Sequence, residues 1–303
     1  MRALVIGYGS IGSRHARLLT ELGCATAVMS SHLIDFPIVY SELTSALSGH
    51  RPDYVVIANP TNRHLDTLTE LAASGFTGRV LVEKPLFEHD HPIPAANFCS
   101  LSVAYNLRFH PVIQRLRELV ENESVLSVQA YVGQYLPDWR PGTDYRQSYS
   151  ASAEQGGGAL RDLSHEFDYL GWLFGHWRAV TALGGHVSSL EINSDDLFVL
   201  LMQTERCPVV SVQVSYLDRG ARRRIIVNTE LHTIEADLVG GTIAVDQNIE
   251  TFTTERDHTY REMHRAVLAG DVDTLCSIQD GLVTLQLIEA AERSNRQKEW
   301  MTR

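Results

Sequence analysis

Asp162, His165 and Asp168 recur at a spacing of three inside the segment Gln155-Gly-Gly-Gly-Ala-Leu-Arg-Asp-Leu-Ser-His-Glu-Phe-Asp168. Residues three apart on a helix are neighbours, so both acids would stand one turn either side of one imidazole. An unperturbed imidazole titrates at about 6.5, which suits proton transfer near neutrality. A carboxylate on its other nitrogen would fix the tautomer and raise its basicity. Far upstream, the apolar run Val80-Leu81-Val82 ends in Glu83-Lys84-Pro85. A lysine at the tip of a buried strand is costly unless a polar partner or a cleft receives it. Pro85 favours an extended Lys84 and stops the strand from simply continuing. A Lys–His–Asp group has a definite use in alcohol oxidation. As hydride leaves an alcohol carbon, His165 would take the hydroxyl proton. Lys84 would bond the same oxygen and steady its developing negative charge.

A departing hydride needs an acceptor, and the start of the chain has the pattern that would hold one. Ala3 to Ile6 is a continuous apolar run of the kind a buried parallel strand shows. Gly7-Tyr-Gly9-Ser10-Ile11-Gly12 follows at once, then a helical period through Ala16, Leu18, Leu19 and Leu22, then a second strand over 24–29. Strand, glycine-rich turn, helix and strand is the context of a dinucleotide fingerprint. Gly7 permits the tight turn, Gly9 lets backbone approach a pyrophosphate, and Gly12 lets the helix sit close to the sheet. The phosphates would lie against free N–H groups at the helix N-terminus. At the end of the second strand, Ser30 and Ser31 stand where an NAD site commonly has an acid. Serines accept either a ribose hydroxyl or a 2′-phosphate, and Arg14 would be near enough to reach a phosphate. The expected cofactor is NAD or NADP, with the balance toward NADP. Tyr54 to Ala58 reads as another buried strand, ending in the polar turn Asn59-Pro60-Thr61-Asn62-Arg63-His64. Such a turn sits where parallel sheets bind ligands.

The 303 residues predict two domains at ordinary domain size. Lys plus Arg is 26 and Asp plus Glu is 37, a net charge of −11, which excludes a broad nucleic-acid face. It does not exclude a phosphate pocket made of backbone N–H groups. No window reaches the roughly 20 apolar residues of a membrane span. Met1 runs straight into strand pattern without a signal peptide, so the expected location is cytoplasmic. Cys24, Cys99, Cys207 and Cys276 are far apart and read as isolated buried thiols. His89 and His91 lie in a Pro-rich polar stretch and read as loop residues; no metal site is expected.

After a short strand near Ser102–Asn106 and a helix over 108–121, the texture turns to strands. They are expected at 125–132, 179–187, 197–203, 209–216, 224–229, 233–238 and 242–245. Partial alternation, as in Val210, Val212, Val214 and Tyr216, predicts a sheet with one covered face. Leu160, Leu163, Phe167, Leu170 and Leu173 can line one face of a helix that carries the Asp–His–Asp group. Arg222 to Arg224 reads as a solvated strand edge. The stretch 133–149 is neither strand nor helix and is rich in aromatics. Tyr135, Trp139, Arg140, Tyr145 and Arg146 are expected to bind substrate, by stacking and by pairing with carboxylate or phosphate. The tail, 260–293, reads as two helices broken near Gly270, the last packing back on the first domain.

Taken together, GYGSIG at 7–12, VVIANPTNRH at 55–64, EKP at 83–85, YNLRFHP at 105–111 and GGGALRDLSHEFDYLGWLFG at 156–175 resemble the glucose-fructose oxidoreductase / inositol dehydrogenase / MocA family over nearly the whole chain. The resemblance implies an α/β chain: a Rossmann domain over 1–101, then an α/β domain over 102–303 with a large open, mostly antiparallel sheet that forms homodimers or homotetramers. It implies NAD(P)-dependent chemistry on a hydroxyl or keto carbon of a sugar, cyclitol or related small molecule. The family lysine matches Lys84, and its H-x-x-D pair matches His165 and Asp168. Asn106 and Arg108 join the substrate contacts on the same ground, and Asn59, Pro60, Thr61, His64, Glu83 and Lys84 join the cofactor contacts. The family spacing D-x-G-x-H is one residue shorter here, as Asp162-Leu-Ser-His165. The glycines put Asp162 in register; the histidine puts Arg161 there. This variant is similar to members that act on sugar nucleotides or amino sugars in surface-polysaccharide pathways. The alternatives are a cyclitol or free-sugar dehydrogenase and a non-catalytic NAD(P)-binding regulator.

Overall fold

The first strand of the chain lies inside a seven-stranded sheet in the computed structural model, which describes residues 1–303. In chain order come β1 (Arg2–Ile6), α1 (Ser10–Glu21), β2 (Ala25–Met29), β3 (Val39–Tyr40), α2 (Leu43–His50), β4 (Tyr54–Ile57), α3 (His64–Ala73), β5 (Arg79–Val82) and β6 (Ser100–Val103). The strands are parallel in the order β6-β5-β4-β1-β2-β3. Leu4, Val5, Val55, Val56 and Leu81 are fully buried, which is why these strands are unbroken apolar runs. The order reverses at β1, so β1 and β4 end on either side of the crevice where such sheets hold ligands.

Beyond β6 the chain makes a 3-10 turn at Asn106–Phe109, and α4 (Pro111–Val120) begins only after it. His110 caps α4 by accepting the Val112 N–H, and Pro111 takes the first turn, where its missing N–H is no loss. Then follow β7 (Val125–Gly133), α5 (Ala159–Asp162), α6 (His165–Phe174), β8 (Trp177–Gly185), β9 (Leu197–Thr204), β10 (Val210–Ser215), β11 (Arg222–Thr229), β12 (Thr233–Asp237), β13 (Thr242–Val245), β14 (Asn248–Thr251), α7 (His258–Ala269), β15 (Cys276–Ser277), α8 (Ile278–Gln297) and β16 (Met301–Thr302). A nine-stranded sheet has the order β14-β13-β12-β11-β7-β10-β9-β8-β16, antiparallel throughout except for β7 beside β10. The strands β3, β14, β15 and β16 were not expected from sequence. β3, β15 and β16 are two residues long, too short for a periodic signal, and β14 is exposed along its whole length and carries no apolar pattern.

The chain divides into two compact units, residues 1–109 with 256–282, and residues 110–255 with 283–303. The first therefore runs past residue 101 and recovers a segment from the tail. Asn106 Nδ2 donates to Thr259 Oγ1 at 2.6 Å, Arg108 Nη1 donates to the Leu275 carbonyl at 3.2 Å, and β15 pairs with β6. Of the two tail helices, α7 belongs wholly to the first unit, and α8 does so only through Leu282. Three of the four thiols are buried as expected, but Cys99 is exposed at the edge of β6; all four are free.

In the second unit, the covered face of the sheet decides the rest. Phe198, Leu200 and Met202 point inward from β9, and Val199 and Leu201 point outward. The helix expected over 160–173 is two helices. Leu163, at φ −95° and ψ 27°, ends α5, and α6 restarts at His165. Asp195 anchors the start of α5, accepting the Ala159 N–H on its carbonyl and the Leu160 N–H on Oδ2, both at 2.9 Å. Glu166, fully buried in α6, accepts from Arg223 Nε at 2.8 Å and from Tyr169 OH at 2.9 Å. Arg222 to Arg224 is thus not uniformly a solvated edge. Strand alternation turns Arg223 inward while Arg222 and Arg224 stay exposed.

Two stability predictions follow from these anchors. Arg223→Met strands a buried carboxylate. It should destabilise the protein by about 2–3 kcal/mol in denaturant unfolding, below the roughly 3–5 of a fully buried pair because the arginine keeps some water contact. A Glu166→Met, Arg223→Met double variant should recover most of that loss; no recovery would show that the ion pair is not the cause. Burial pushes the Asp195 carboxyl up to about 7, with Glu292 and Asp162 adding to it and the Leu160 N–H opposing. Its folded value lies above its unfolded one, so its contribution is complete below about 4 and is lost as pH rises through about 7. The melting temperature of Asp195→Asn should therefore fall less between pH 5 and pH 8 than that of the parent, and parallel curves would refute the assignment.

Candidate functional site

The glycine-rich turn is held by close backbone packing. Gly7 has φ +96°, and a Cβ there would lie 2.6 Å from the Ala58 carbonyl oxygen. A Cβ on Gly12 would strike the Gly7 carbonyl, so α1 can lie this close to β1 only with glycine at that place. A Cβ on Gly9 would meet nothing. Gly9 caps α1 without a side-chain bond, and no acid occupies the first turn at Ser10, Ile11 and Gly12. The free N–H groups and positive dipole end thus face open space, as a pyrophosphate requires. A cleft of about 690 Å³ borders this helix, lined by Tyr8, Ser10, Ser13, Arg14 and Phe36 among others. Arg14 is engaged within the protein. Its Nε stands 3.4 Å from Asp257, and its guanidinium lies over the Tyr260 ring. Ser30 accepts the His32 N–H at 3.1 Å, while Ser31 is exposed.

The turn after β4 is clamped to the turn after β5. Fully buried His64 places Nε2 2.9 Å from the Asn59 carbonyl and Nδ1 3.0 Å from the Leu86 carbonyl, and a neutral ring donates to one of the two. Burial pushes its imidazole below the usual range. Asn59 donates to Thr67 Oγ1 at 2.8 Å, and its buried Oδ1 has no protein donor. That acceptor, the open face over Gly9 and the bare end of α1 fit a dinucleotide. Pro60 and Thr61 complete this turn. The Lys84–Pro85 peptide is cis. Glu83 turns inward: its Oε2 accepts the Lys84 N–H at 3.1 Å, and its Oε1 meets His15 Nε2 at 2.7 Å. Asn106 and Arg108, expected among the substrate contacts, are buried and make the packing bonds to Thr259 and Leu275 described above.

In the second unit the break at Leu163 separates Asp162 from the helix that carries His165 and Asp168. Asp162 Oδ2 accepts from Tyr216 OH at 2.7 Å, so the two acids do not flank one imidazole along a single helix. Burial first, and the neighbouring Asp162 next, hold the Tyr216 hydroxyl far above its ordinary value, so it remains a donor. His165 heads α6 half-buried, with Asp168 buried one turn on. Tyr216 meets Trp139 edge to face at 5.1 Å, and Trp139 Nε1 donates to the Gln134 carbonyl at 3.1 Å. Asp162 is thereby tied to the aromatic stretch. Tyr135, also in this stretch, carries the Arg219 guanidinium 3.5 Å above its ring. Arg140 is exposed. Arg146 lines a separate cleft of about 560 Å³ and bonds Asp144 and Glu191, while the Tyr145 hydroxyl accepts the Glu191 N–H at 3.2 Å. Tyr216 and Arg219 were missed in the sequence. The alternation of β10 placed Tyr216 on the covered face; nothing local marked Arg219.

Residues 1–95 match the family described as "Oxidoreductase family, NAD-binding Rossmann fold", and residues 113–235 match "GFO/IDH/MocA C-terminal domain". The rhizopine catabolism protein MocA of Rhizobium meliloti is 29% identical over 191 residues, 56% of this chain and 56% of its own. The chain spans about half the length of the curated relatives it matches first. Among solved structures, levoglucosan dehydrogenase in complex with NADH superposes with a TM-score of 0.84 at 16% identity, covering 100% of this chain and 98% of that one. The WlbA dehydrogenase of Bordetella pertussis, in complex with NADH and UDP-GlcNAcA, gives 0.80 at 19% identity, covering 100% and 97%. Both family descriptions, in the order the two halves of the fold demand, identify the chain as a member of the GFO/IDH/MocA family of oxidoreductases with an NAD-binding Rossmann fold.

Proposed function

We propose that this protein is an NAD(P)-dependent oxidoreductase that moves a hydride between the nicotinamide and a hydroxyl or keto carbon of a sugar, most specifically of a sugar nucleotide or amino sugar. The observation that carries the reading is a dinucleotide cradle in a chain that holds a lysine at a strand tip and a histidine at the head of α6. The cofactor, when bound, supplies or accepts the hydride. The first-turn N–H groups of α1 and Asn59 would hold it. His165 takes the proton from the substrate hydroxyl, or returns it in reduction, with Asp168 supporting the imidazole. Lys84 bonds the same oxygen and steadies its charge. Asp162 acts through Tyr216, keeping Trp139 and the aromatic stretch in place for a sugar ring. Cyclitols and free sugars form the second substrate class, supported by an inositol 2-dehydrogenase of Rhizobium meliloti that is 23% identical over 97% of this chain. A regulator that only binds cofactor would have no use for a proton relay. The outward face of the nine-stranded sheet supports a homo-oligomer: Leu183 and Val199 are directly opposed there, with Leu201 beside them.

Lys84→Ala and His165→Ala should each lower kcat by about 100-fold or more on the best substrate of a sugar and sugar-nucleotide panel. The dissociation constant for reduced cofactor, followed by its fluorescence, should change by no more than about threefold. Undiminished turnover in either variant would remove that residue from the mechanism. The absence of an acid beside Ser30 and Ser31 supports NADP over NAD. Fluorescence titration should give tighter binding of NADPH than of NADH, and Ser30→Asp should reverse the order by placing a negative charge beside the 2′-phosphate. Tighter NADH binding by the parent protein would sink this preference.

A further inference from the structure

The first unit contains a row of buried polar side chains that the proposed chemistry leaves unused. Tyr54 on β4, His264 on α7 and His15 on α1 are each 0% exposed, and Glu83 at the end of β5 is 6% exposed. Tyr54 OH stands 3.0 Å from His264 Nδ1, His264 Nε2 stands 2.8 Å from His15 Nδ1, and His15 Nε2 stands 2.7 Å from Glu83 Oε1. Four elements therefore converge on one line of hydrogen bonds that ends at the residue before Lys84.

The polarity of this line follows from its ends. An ionised carboxylate only accepts, so His15 must donate from Nε2. A neutral His15 then accepts on Nδ1, so His264 donates from Nε2 and accepts on Nδ1, and Tyr54 donates its O–H. Every donor and acceptor in the row is satisfied. The reverse order would leave the buried Tyr54 O–H without an acceptor, a costly state. Burial, with His15 adding to it, holds the His264 imidazole well below its ordinary range, and burial holds the Tyr54 hydroxyl well above its own. In this direction the row needs no charge other than a carboxylate at Glu83. The far end is sealed in the core at Tyr54, so the row cannot pass protons to water. Its capacity is to solvate and orient a carboxylate without a buried cation beside it. The other carboxylate oxygen accepts the Lys84 N–H at 3.1 Å, so the fixed end of the row grips the Lys84 peptide. Tyr260 meets the His15 ring edge to face at 5.6 Å and closes one side.

We propose that Tyr54, His264 and His15 are positioning residues, a directional hydrogen-bond chain that locks the Glu83 carboxylate and through it sets the placement of Lys84. The consequence for turnover rests on the role given to Lys84 above; the chain itself does not. Lys84 and Lys298 are the only lysines in the protein, which makes the lysine directly observable. Reductive methylation with ¹³C-formaldehyde labels both, and Lys298, exposed at the end of α8, serves as an internal reference.

Long-range ¹H–¹⁵N spectra of the whole protein at pH 7 should show His15 and His264 neutral and protonated on Nε2, assigned by His15→Gln and His264→Gln. A doubly protonated His15, or a proton on Nδ1 of either ring, overturns the directional chain. Tyr54→Phe keeps the ring in the core and removes only the terminal donor. It should move the methyl signal of Lys84 and leave that of Lys298 in place, and it should lower kcat about three- to tenfold, with KM and cofactor affinity within about twofold. His264→Gln should do the same more strongly. A folded Tyr54→Phe or His264→Gln protein in which the Lys84 signal stays in place overturns the proposal. If no sugar is turned over even by the parent, the hydride-transfer reading fails, and the Lys84 signal still decides the chain.

Discussion

The approach of Gly12 to the carbonyl of Gly7, and of Gly7 to Ala58, sets the depth at which α1 lies on the parallel sheet. No side chain fits at either place, so helix and sheet meet backbone to backbone. Two results come from that one contact. The first-turn N–H groups of α1 are carried to the end of β1 with no side-chain cap and open space over Gly9, where a pyrophosphate can use them. One turn on, His15 is driven into the core, where it meets Glu83 and His264. A helix held an ångström or two farther out would lose both.

The second unit depends on a different device. A sheet covered on one face needs its helices fixed above it, and here two acids do much of the fixing. Asp195 takes the first N–H groups of α5, and Glu166 ties α6 to β11 through Arg223. Both acids lie beside residues of the candidate site rather than among them. Asp195 anchors the short helix that ends in Asp162, and Glu166 follows His165. The break at Leu163 lets these two anchors act on two separate helices. Asp162 can then turn to Tyr216 while His165 begins a new helix whose direction Arg223 sets.

Much of this was legible in the residues. The buried strands β1, β4 and β5 announce themselves as unbroken apolar runs, and the covered sheet does so by alternation, because burial on two faces or on one leaves a different period. The glycine-rich turn was readable because its spacing answers a steric need. Less was readable where a contact joins distant segments. Nothing near Asn106 or Arg108 indicates that they will bond Thr259 and Leu275 in a returning segment. Nothing near His15 foretells His264, 249 residues away. The helix break at Leu163 was hidden for another reason. The apolar positions of 160–173 keep a helical period straight through it, since both short helices bury the same side.

The use of basic residues carries the same logic to the reacting end of the site. Of the 26 basic residues all but Lys84 and Lys298 are arginine. Arginine suits the paired, planar contacts seen throughout, such as Arg223 with Glu166 and Arg115 with Glu250, because its fork matches a carboxylate and its charge is permanent. Lysine differs in offering a compact charge on a flexible stem. Such an ammonium can follow a single oxygen and offers it one donor at a time. The chain keeps a lysine at the strand tip after Glu83, and the neighbouring carboxylate is held by the buried row of His15, His264 and Tyr54. In the proposed reaction, that held strand tip would set a compact ammonium beside the substrate oxygen.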